Sequence, residues 1–212
     1  MQSTGRVTRR QAELFDQLVT LFLTEGFRDL TIDALAARLR CSKTTLYALA
    51  GTRDALVRAV VVHFFRGATE RVEASLTAAE QPRDRIVAYL HGVAAQLQPA
   101  SAEFFDDVAA APVAQEVYEQ NTRAAARRVE QLVADGVSSG AFRSVHVAFV
   151  ADVLSATMVR IQQRQVAAAT GLGDAEAYTE LAALVVRGLT PVEDRSEMEV
   201  SAVRPTTAPG SE

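Results

Sequence analysis

The stretch FLTEGFRDLTIDALAARLRCSKTTLYALAGTRDALVRAVV, residues 22–61, contains the start and stop signals of several short helices. Gly26 is a natural C-cap, because glycine adopts the left-handed conformation without a steric penalty. Thr31, Ser42 and Thr52 each stand where an N-cap is expected, since their hydroxyls can accept a backbone N–H from the first helical turn. The stretch therefore predicts one helix that ends at Gly26 and three more that begin behind these caps.

Apolar residues on both sides of the caps recur every three or four positions, which is the helical period. The stripe of the first helix, which starts near Arg9, is Phe15, Leu18, Val19 and Phe22. The stripe of the second is Ile32, Leu35, Ala36 and Leu39. The third helix, residues 43–49, is short and polar, and Leu46 and Leu49 are its inward residues.

The rest of the chain carries further helical stripes and no competing strand pattern. The predicted fourth helix covers about 53–78, the fifth begins at Pro82 and is ended by Pro99, and the sixth covers about 101–110. The seventh runs from Pro112 to near residues 138–140 with Gly140 as its C-cap, the eighth covers about 147–169, and the ninth covers about 174–189 with Asp174 as its N-cap. Residues 1–8 are polar, and residues 190–212 are rich in Pro, Ser, Thr and Glu, so we expect both ends to be disordered. The sequence predicts an all-α fold of about nine helices.

Charge is unevenly distributed along a chain whose net charge is −4. Residues 1–53 hold 8 basic and 5 acidic residues, an excess of three positive charges, whereas the remainder holds 14 basic and 21 acidic residues. A basic head on an acidic body is typical of a small nucleic-acid-binding module joined to a second domain. The excess of three is modest, so it supports this interpretation without deciding it.

Two short helices joined by a tight turn, the second with small polar residues outside, are typical of a helix-turn-helix. The reading helix must enter a groove about 12 Å wide, so its outer face should be polar and slim. Side chains of the third helix suited to base edges or phosphates are Lys43, the only lysine of the chain, with Thr44, Thr45 and Tyr47. The N–H groups of the helix starts at Thr31, Ser42 and Thr52 are additional phosphate sites. Each residue alone could simply cap or pack.

Residues 22–61 resemble the N-terminal domain of TetR-family transcriptional regulators. The matching positions are Gly26, Phe27, Thr31, Ile32, Leu35, Ala36, Ser42, Thr45, Leu46, Tyr47, Arg53, Asp54 and Leu56. Residues 133–156, VADGVSSGAFRSVHVAFVADVLSA, resemble the family's junction between its seventh and eighth helices. Three positions depart from the family pattern: Arg40 stands where glycine is common, Ala50 replaces an aromatic residue and Arg53 replaces lysine. Arg40 predicts either a left-handed non-glycine residue, at about 1 kcal/mol, or a different turn.

The resemblance implies a function and a domain organisation. It implies a DNA-binding domain at 9–53, a ligand-binding and dimerisation domain at 54–189, and a tail at 190–212. Such proteins are homodimers that bind an operator, and a small molecule in the C-terminal bundle shifts the fourth helix and releases the DNA. By this likeness the residues that contact DNA, mostly at phosphates, are Thr31, Lys43, Thr44, Tyr47 and Arg53.

The predicted bundle offers an apolar, partly aromatic lining for an effector, although such stripes are more often simply core. The candidate ligand-binding residues are His63, Phe64, Tyr89, Phe104, Phe105, Tyr118, Thr157 and Met158. Alanines that would allow close packing of two subunits lie on the predicted eighth and ninth helices, at Ala148, Ala151, Ala156, Ala182 and Ala183. Packing within one chain would account for some of these alanines.

Other classes of protein find little support in the sequence. The three histidines (63, 91 and 146) are far apart, and neither a Gly-x-Ser-x-Gly motif nor a phosphate loop occurs, so we expect no enzyme, no metal site and no cofactor. The acid pair Asp106–Asp107 points to adjacent helix faces. A plain α-helical scaffold, or a small-molecule-binding protein without DNA binding, stays open as the alternative.

The composition also suggests a compartment. The most apolar stretch, residues 55–65, is shorter than the roughly 20 residues that a membrane helix needs, and it contains Arg58 and His63. Residues 1–10 are not followed by an apolar signal-peptide core. The single cysteine, Cys41, excludes an internal disulfide and is interpreted as a small core residue, with a redox sensor as the lesser alternative. We therefore expect a cytoplasmic protein.

Overall fold

The structure, a computed structural model, describes residues 9–191 apart from the side chain of Gln162. The predicted tail from residue 192 onward and the first eight residues lie outside this range. Ten α-helices make up the described chain: α1 Arg9–Glu25, α2 Ile32–Arg38, α3 Lys43–Leu49, α4 Arg53–Ser75, α5 Pro82–Leu97, α6 Ala102–Ala110, α7 Pro112–Ser138, α8 Val147–Gln162, α9 Gln165–Thr170 and α10 Asp174–Leu189. A single 3₁₀ turn, Leu76–Ala78, follows α4. Within residues 9–191 no strand occurs, so the all-α prediction is confirmed.

The starts of α2, α3 and α4 are held by the caps predicted for them. The hydroxyl oxygens of Thr31, Ser42 and Thr52 accept the backbone N–H of the residue three positions on, at 3.0–3.1 Å. Gly26 ends α1 at φ 74°, and Arg40 takes φ 50° in the turn between α2 and α3. Of the two alternatives that the sequence left open at Arg40, a left-handed non-glycine residue or a different turn, the structure has the first.

Helices α1 to α3 form a head, and α4 joins it to a body made of α5 to α10. Helix α4 packs against α1 and α3 at one end and against α5 and α7 at the other. Helix α10 packs along α5, and α7 packs along α8. One continuous apolar core runs from Leu18 in the head to Leu189 at the end of α10. Because this core is continuous and includes the buried face of α4, that helix belongs to both the head and the body.

The predicted eighth helix, 147–169, is wrong as a single element. It breaks after Gln162, and Arg164 takes a left-handed φ of 60° before α9 begins. Three contacts of its guanidinium offset the cost of that conformation. It bonds the Asp174 carboxylate at 2.5 Å, lies 3.6 Å from the Asp106 carboxylate, and sits over the Phe105 ring at 5.5 Å from the centroid.

Asp174 is not the N-cap of the last helix. Gly173 occupies that position, and the Glu176 carboxylate accepts its backbone N–H at 2.8 Å. Asp174 is the first helical residue, and its buried carboxylate bonds Arg164 and the Tyr118 hydroxyl. Burial raises the pKa of the Asp174 carboxyl in spite of the guanidinium beside it. The partners of the Asp174 carboxylate are therefore side chains of the body, and not the backbone N–H groups at a helix start.

Candidate nucleic-acid interface and ligand cavity

One face of helix α3 packs against the rest of the head, and the opposite face is exposed to solvent. Leu46 is fully buried and holds the helix to the head, whereas Lys43, Thr44 and Tyr47 are exposed. The hydroxyls of Ser42 and Thr45 bond each other at 2.8 Å, so both contribute to the start of the helix. The outer face of α3 therefore presents an ammonium, a hydroxyl and a phenol, a mixture suited to phosphates and base edges.

Lys43 has a partner on the neighbouring helix. Its ammonium lies 2.5 Å from the Asp33 carboxylate of α2, and both side chains are mostly exposed. The hydrogen bond to Asp33 and the attraction of its charge raise the pKa of Lys43. Because an exposed pair contributes little to stability, a phosphate can take the place of Asp33 at low cost.

Arg53 has a structural role that the sequence did not indicate. Its guanidinium donates to the backbone carbonyls of Leu30, Phe27 and Arg28, at 3.2, 2.7 and 2.8 Å. These bonds use its Nε and Nη2 groups to hold the loop between α1 and α2 against the start of α4. Its role as a phosphate ligand stays a prediction, and it would rest on the remaining Nη1.

The head is tied to the body by Asp107 of α6. One carboxylate oxygen accepts the backbone N–H groups of Phe27 and Arg28, at 2.6 and 2.8 Å, and the other lies 3.2 Å from the Arg28 guanidinium. A Cβ atom at Gly26 would lie 2.6 Å from the same carboxylate, so glycine is needed here for space as well as for its positive φ. The role of Asp107 could not be predicted from the sequence, because its partners lie about 80 positions away.

A cavity of about 290 Å³ lies in the body between α4, α5, α7 and α10. Aromatic residues from all four helices line it: Phe65, Tyr89, Tyr118 and Tyr178. Polar and charged residues line it as well: Glu73, Gln96, Asn121, Thr122, Arg127, Arg128 and Gln131. The Arg128 guanidinium binds both oxygens of Glu73 at 2.9 Å. Such a cavity can enclose a small organic molecule and orient its polar end.

The three cavity tyrosines are strongly perturbed. Burial raises the pKa of Tyr89, Tyr118 and Tyr178, and nearby negative charge adds to it: Glu73 at Tyr89, and Asp174 at the other two. The phenols therefore stay protonated at any physiological pH and can donate hydrogen bonds. Their clustering at a cavity is the kind of perturbation common at binding sites.

The predicted ligand residues divide into two groups. Tyr89 and Tyr118 line the cavity, whereas the other six do not. His63 lies between α4 and α1, where it stacks on Phe15 and its Nε2 is 2.8 Å from the Asp16 carboxylate. Phe64, Phe104 and Phe105 form edge-on ring contacts in the core below the head.

The two candidates on α8 also lie away from the cavity. Met158 is buried in the core, and the Thr157 hydroxyl donates to the Val153 carbonyl of its own helix. The prediction missed Phe65, Glu73, Arg128 and Tyr178. The helical period showed which residues of α4, α7 and α10 point inward, but not that these three helices meet around a space.

Exposed apolar side chains concentrate on α8 and α10. In the described part of the chain the large apolar residues with exposed side chains are Tyr47, Phe149, Val153 and Leu184. Phe149 is 66% exposed and Leu184 70%. Of the predicted interface alanines, Ala148, Ala156 and Ala183 are exposed, whereas Ala182 is buried within the chain. The two helices thus leave apolar area uncovered in one subunit.

Among residues 9–191 no three His, Cys, Asp or Glu side chains form a group that could hold a metal ion. No helix in that range is both long enough and apolar enough to cross a membrane. Cys41 is partly buried against the core, and burial raises the pKa of its thiol.

Comparisons with known proteins agree with this geometry. Residues 14–60 match the sequence model of the bacterial regulatory proteins of the tetR family. The fold is similar to that of a TetR transcription regulator from Haloarcula marismortui, with 18% identity and a TM-score of 0.69 over 87% of this chain and 100% of that one. It is also similar to a protein from Saccharomonospora viridis in complex with choline, with 15% identity, a TM-score of 0.69 and the same coverage.

A third similar structure is the TetR-family transcriptional regulator PfmR from Thermus thermophilus, with 18% identity and a TM-score of 0.58 over 84% of this chain and 99% of that one. A search of the curated proteins found no significant match. The sequence of the head is thus similar to that of the tetR family of bacterial regulatory proteins, and the fold is similar to that of solved TetR-family regulators.

Proposed function

We propose that the protein is a ligand-responsive repressor, acting in the cytoplasm, that binds a palindromic operator as a homodimer. A small molecule in the cavity would release it from DNA. One observation carries this proposal: the single helix α4 begins at Arg53, beside the reading helix, and continues to Glu73 in the cavity wall. A change at the cavity therefore has a rigid element through which it can move the head. This is a regulator and not an enzyme.

The DNA contacts in this proposal come from the exposed face of α3 and the helix starts around it. Lys43, Thr44 and Tyr47 would meet phosphates and base edges in the major groove. The N–H groups at the starts of α2 and α3, behind Thr31 and Ser42, would bind phosphates, with Thr45 and Arg53 as supporting residues. Support comes from the exposure of the first three side chains and the excess of positive charge in the head.

The dimer would form through α8 and α10. The exposed side chains of Phe149, Val153 and Leu184 supply the apolar area, and Ala148 and Ala183 permit close approach of the backbones. A two-fold dimer presents two copies of α3, which fits two half-sites separated by about 34–36 Å, one turn of DNA.

The route of release is supported by contacts of α6 on both sides. Asp107 binds the loop between α1 and α2, and its neighbour Asp106 lies 3.6 Å from Arg164. Arg164 in turn bonds Asp174, which accepts a hydrogen bond from the cavity residue Tyr118 at 3.4 Å. A ligand that displaces Tyr118 would therefore act on α6 and the head as well as on α4.

The experiment that tests this proposal is DNase footprinting of the region upstream of the protein's own gene with the purified full-length protein. We expect a protected palindrome, and log Kd that depends linearly on log salt, as phosphate contacts require. An α-helical scaffold, or a small-molecule-binding protein without DNA binding, would show no protection. Protection of a site without two-fold symmetry would overturn the dimeric operator model.

A further inference from the structure

The side chains that line the cavity favour one class of ligand, which the proposed function does not specify. The carboxylate and glutamine oxygens of the cavity wall already accept hydrogen bonds from arginines of the protein. Both carboxylate oxygens of Glu73 accept from Arg128, the side-chain carbonyl of Gln96 accepts from Arg71, and that of Gln131 accepts from Arg128. A ligand whose polar end only donates hydrogen bonds would therefore compete with guanidinium groups for every one of these oxygens.

The donors of the cavity are differently placed. The hydroxyls of Tyr89 and Tyr178 have no protein acceptor within residues 9–191, and neither oxygen is sealed from the cavity. Both phenols stay protonated, because burial raises the pKa of each. The amide of Asn121 lines the same space. Two phenols free to donate, beside an amide that can both donate and accept, favour a ligand that brings acceptor oxygens.

The charge of the wall points the same way. Two arginines, Arg127 and Arg128, and one acid, Glu73, line the cavity, so its charge is positive by one. Because Glu73 is bound by both arms of the Arg128 guanidinium, it offers little to a cation, even though aromatic rings surround the space. Glu73 raises the pKa of Tyr89 and Arg128 lowers it, and Tyr89 raises the pKa of Tyr178. These charged groups and the two phenols therefore belong to one polar cluster.

The remaining wall describes the body of the ligand. Phe65 and Tyr118 stack at 5.3 Å and 14°, which gives a flat aromatic surface. Val72, Val93 and Leu97 add aliphatic area. The volume of about 290 Å³ is at the lower end of the range for small-molecule sites. An aromatic or short aliphatic group fits this part of the cavity.

We propose that the cavity binds an organic monocarboxylate, with the carboxylate held by the Tyr89 and Tyr178 hydroxyls and the apolar body against Phe65 and Tyr118. This inference rests on the proposed function for its biological meaning, since the carboxylate would be the effector. It names a ligand class that the match to the family does not.

The test compares three probes that share one body: 4-phenylbutanoate, 4-phenylbutanamide and 4-phenylbutylamine. Binding to the full-length protein without DNA is measured by calorimetry at pH 7, where the acid is ionised and the amine protonated. We expect the carboxylate to bind best, with an affinity at least about tenfold above that of the amine, because a hydrogen bond to a charged acceptor contributes that much. An amine that binds as tightly as the carboxylate, or no binding of the carboxylate at millimolar concentration, overturns the proposal.

Variants assign the binding to the two phenols. Tyr178→Phe and Tyr89→Phe keep the ring and remove only the donor, and each should weaken carboxylate binding by about tenfold while leaving amine binding unchanged. Tyr47→Phe, the same change on the exposed face of α3, is the matched control and should bind the carboxylate like wild type. The unfolding midpoint of each variant without ligand shows whether the fold is kept. If a protein that carries both Tyr89→Phe and Tyr178→Phe binds the carboxylate like wild type, the proposal is wrong.

The two proposals fail separately. A protein that protects an operator but prefers the amine remains a regulator, and only the ligand class is refuted. A protein that binds the carboxylate through Tyr178 but protects no DNA refutes the proposed function and leaves the ligand class standing.

Discussion

The carboxylate of Asp107 lies 2.6 Å from the backbone nitrogen of Phe27, and this bond joins α6 of the body to the end of the first head helix. Both residues are buried. A buried carboxylate that accepts two backbone N–H groups and faces a guanidinium is satisfied on both oxygens. The head is therefore attached to the body through α4 and also through the region of α6, where this carboxylate binds the loop between α1 and α2.

Removal of this acceptor should loosen the head. Asp107→Ala leaves two backbone N–H groups without their partner, so we expect the free energy of unfolding to fall by about 2–3 kcal/mol. Denaturant unfolding followed by circular dichroism measures the change. Glu103→Ala, an exposed position on the same helix, is the matched control, and an equal loss in both variants would contradict the role given to Asp107.

Loss of the proposed phosphate contacts on α3 should weaken operator binding without unfolding the head. Lys43→Ala should lower the affinity and reduce the slope of log Kd against log salt by about one, because one phosphate contact is lost. Tyr47→Phe should weaken binding with no change of slope. Asp33→Ala is the informative control: it frees Lys43 from its ion pair, so binding should stay the same or tighten. If Lys43→Ala binds like wild type, the reading helix is misassigned.

A charge on the exposed face of α10 should dissociate the proposed dimer. Leu184→Glu places a carboxylate in the centre of an apolar contact, and we expect the dimer dissociation constant to rise by about a hundredfold or more. Sedimentation equilibrium gives the constant. Thr179→Glu is the control, since it lies on the same helix but about 140° around its axis. A Leu184→Glu protein that stays dimeric would show that the subunits meet elsewhere.

The last turn of α7 should tolerate no side chain at Gly136. A Cβ atom there would overlap the Phe142 ring, which is buried against this glycine. We expect Gly136→Ala to destabilise the protein by about 1–3 kcal/mol, the usual result of overpacking. Gly188→Ala is the control, because its added methyl group meets nothing within 4 Å and helices favour alanine. Thermal unfolding of both variants compares them directly, and equal midpoints would contradict the expectation.

The head could be predicted from sequence because local rules decide it. Thr31, Ser42 and Thr52 each cap the helix that follows by a bond to the residue three positions on. At Arg40 the sequence left two kinds of turn open, and the structure has the left-handed one. A cap needs no knowledge of the rest of the chain. The bounds of α2 and α3 therefore came out nearly as predicted.

The body could be predicted only in part, because its decisive contacts join distant residues. The break at Arg164 depends on Asp174 and Asp106, and periodicity in the predicted helix 147–169 does not contain that information. The carbonyl contacts of Arg53 likewise span more than twenty positions. For the cavity, periodicity identified inward residues such as Tyr89 and Tyr118, but it could not tell close packing from a space between helices.

The contact between Gly26 and Asp107 also limits how this protein can be recombined with others. A chimera that takes its reading head from a different regulator and is joined near residue 53 would inherit the foreign residue at position 26 but keep the carboxylate at position 107. Because a Cβ at position 26 would lie 2.6 Å from that carboxylate, a donor head without this glycine would clash with Asp107 of the body. Transplants of DNA specificity onto this body should therefore be chosen as matched pairs of these two positions, and not by the helix sequence alone.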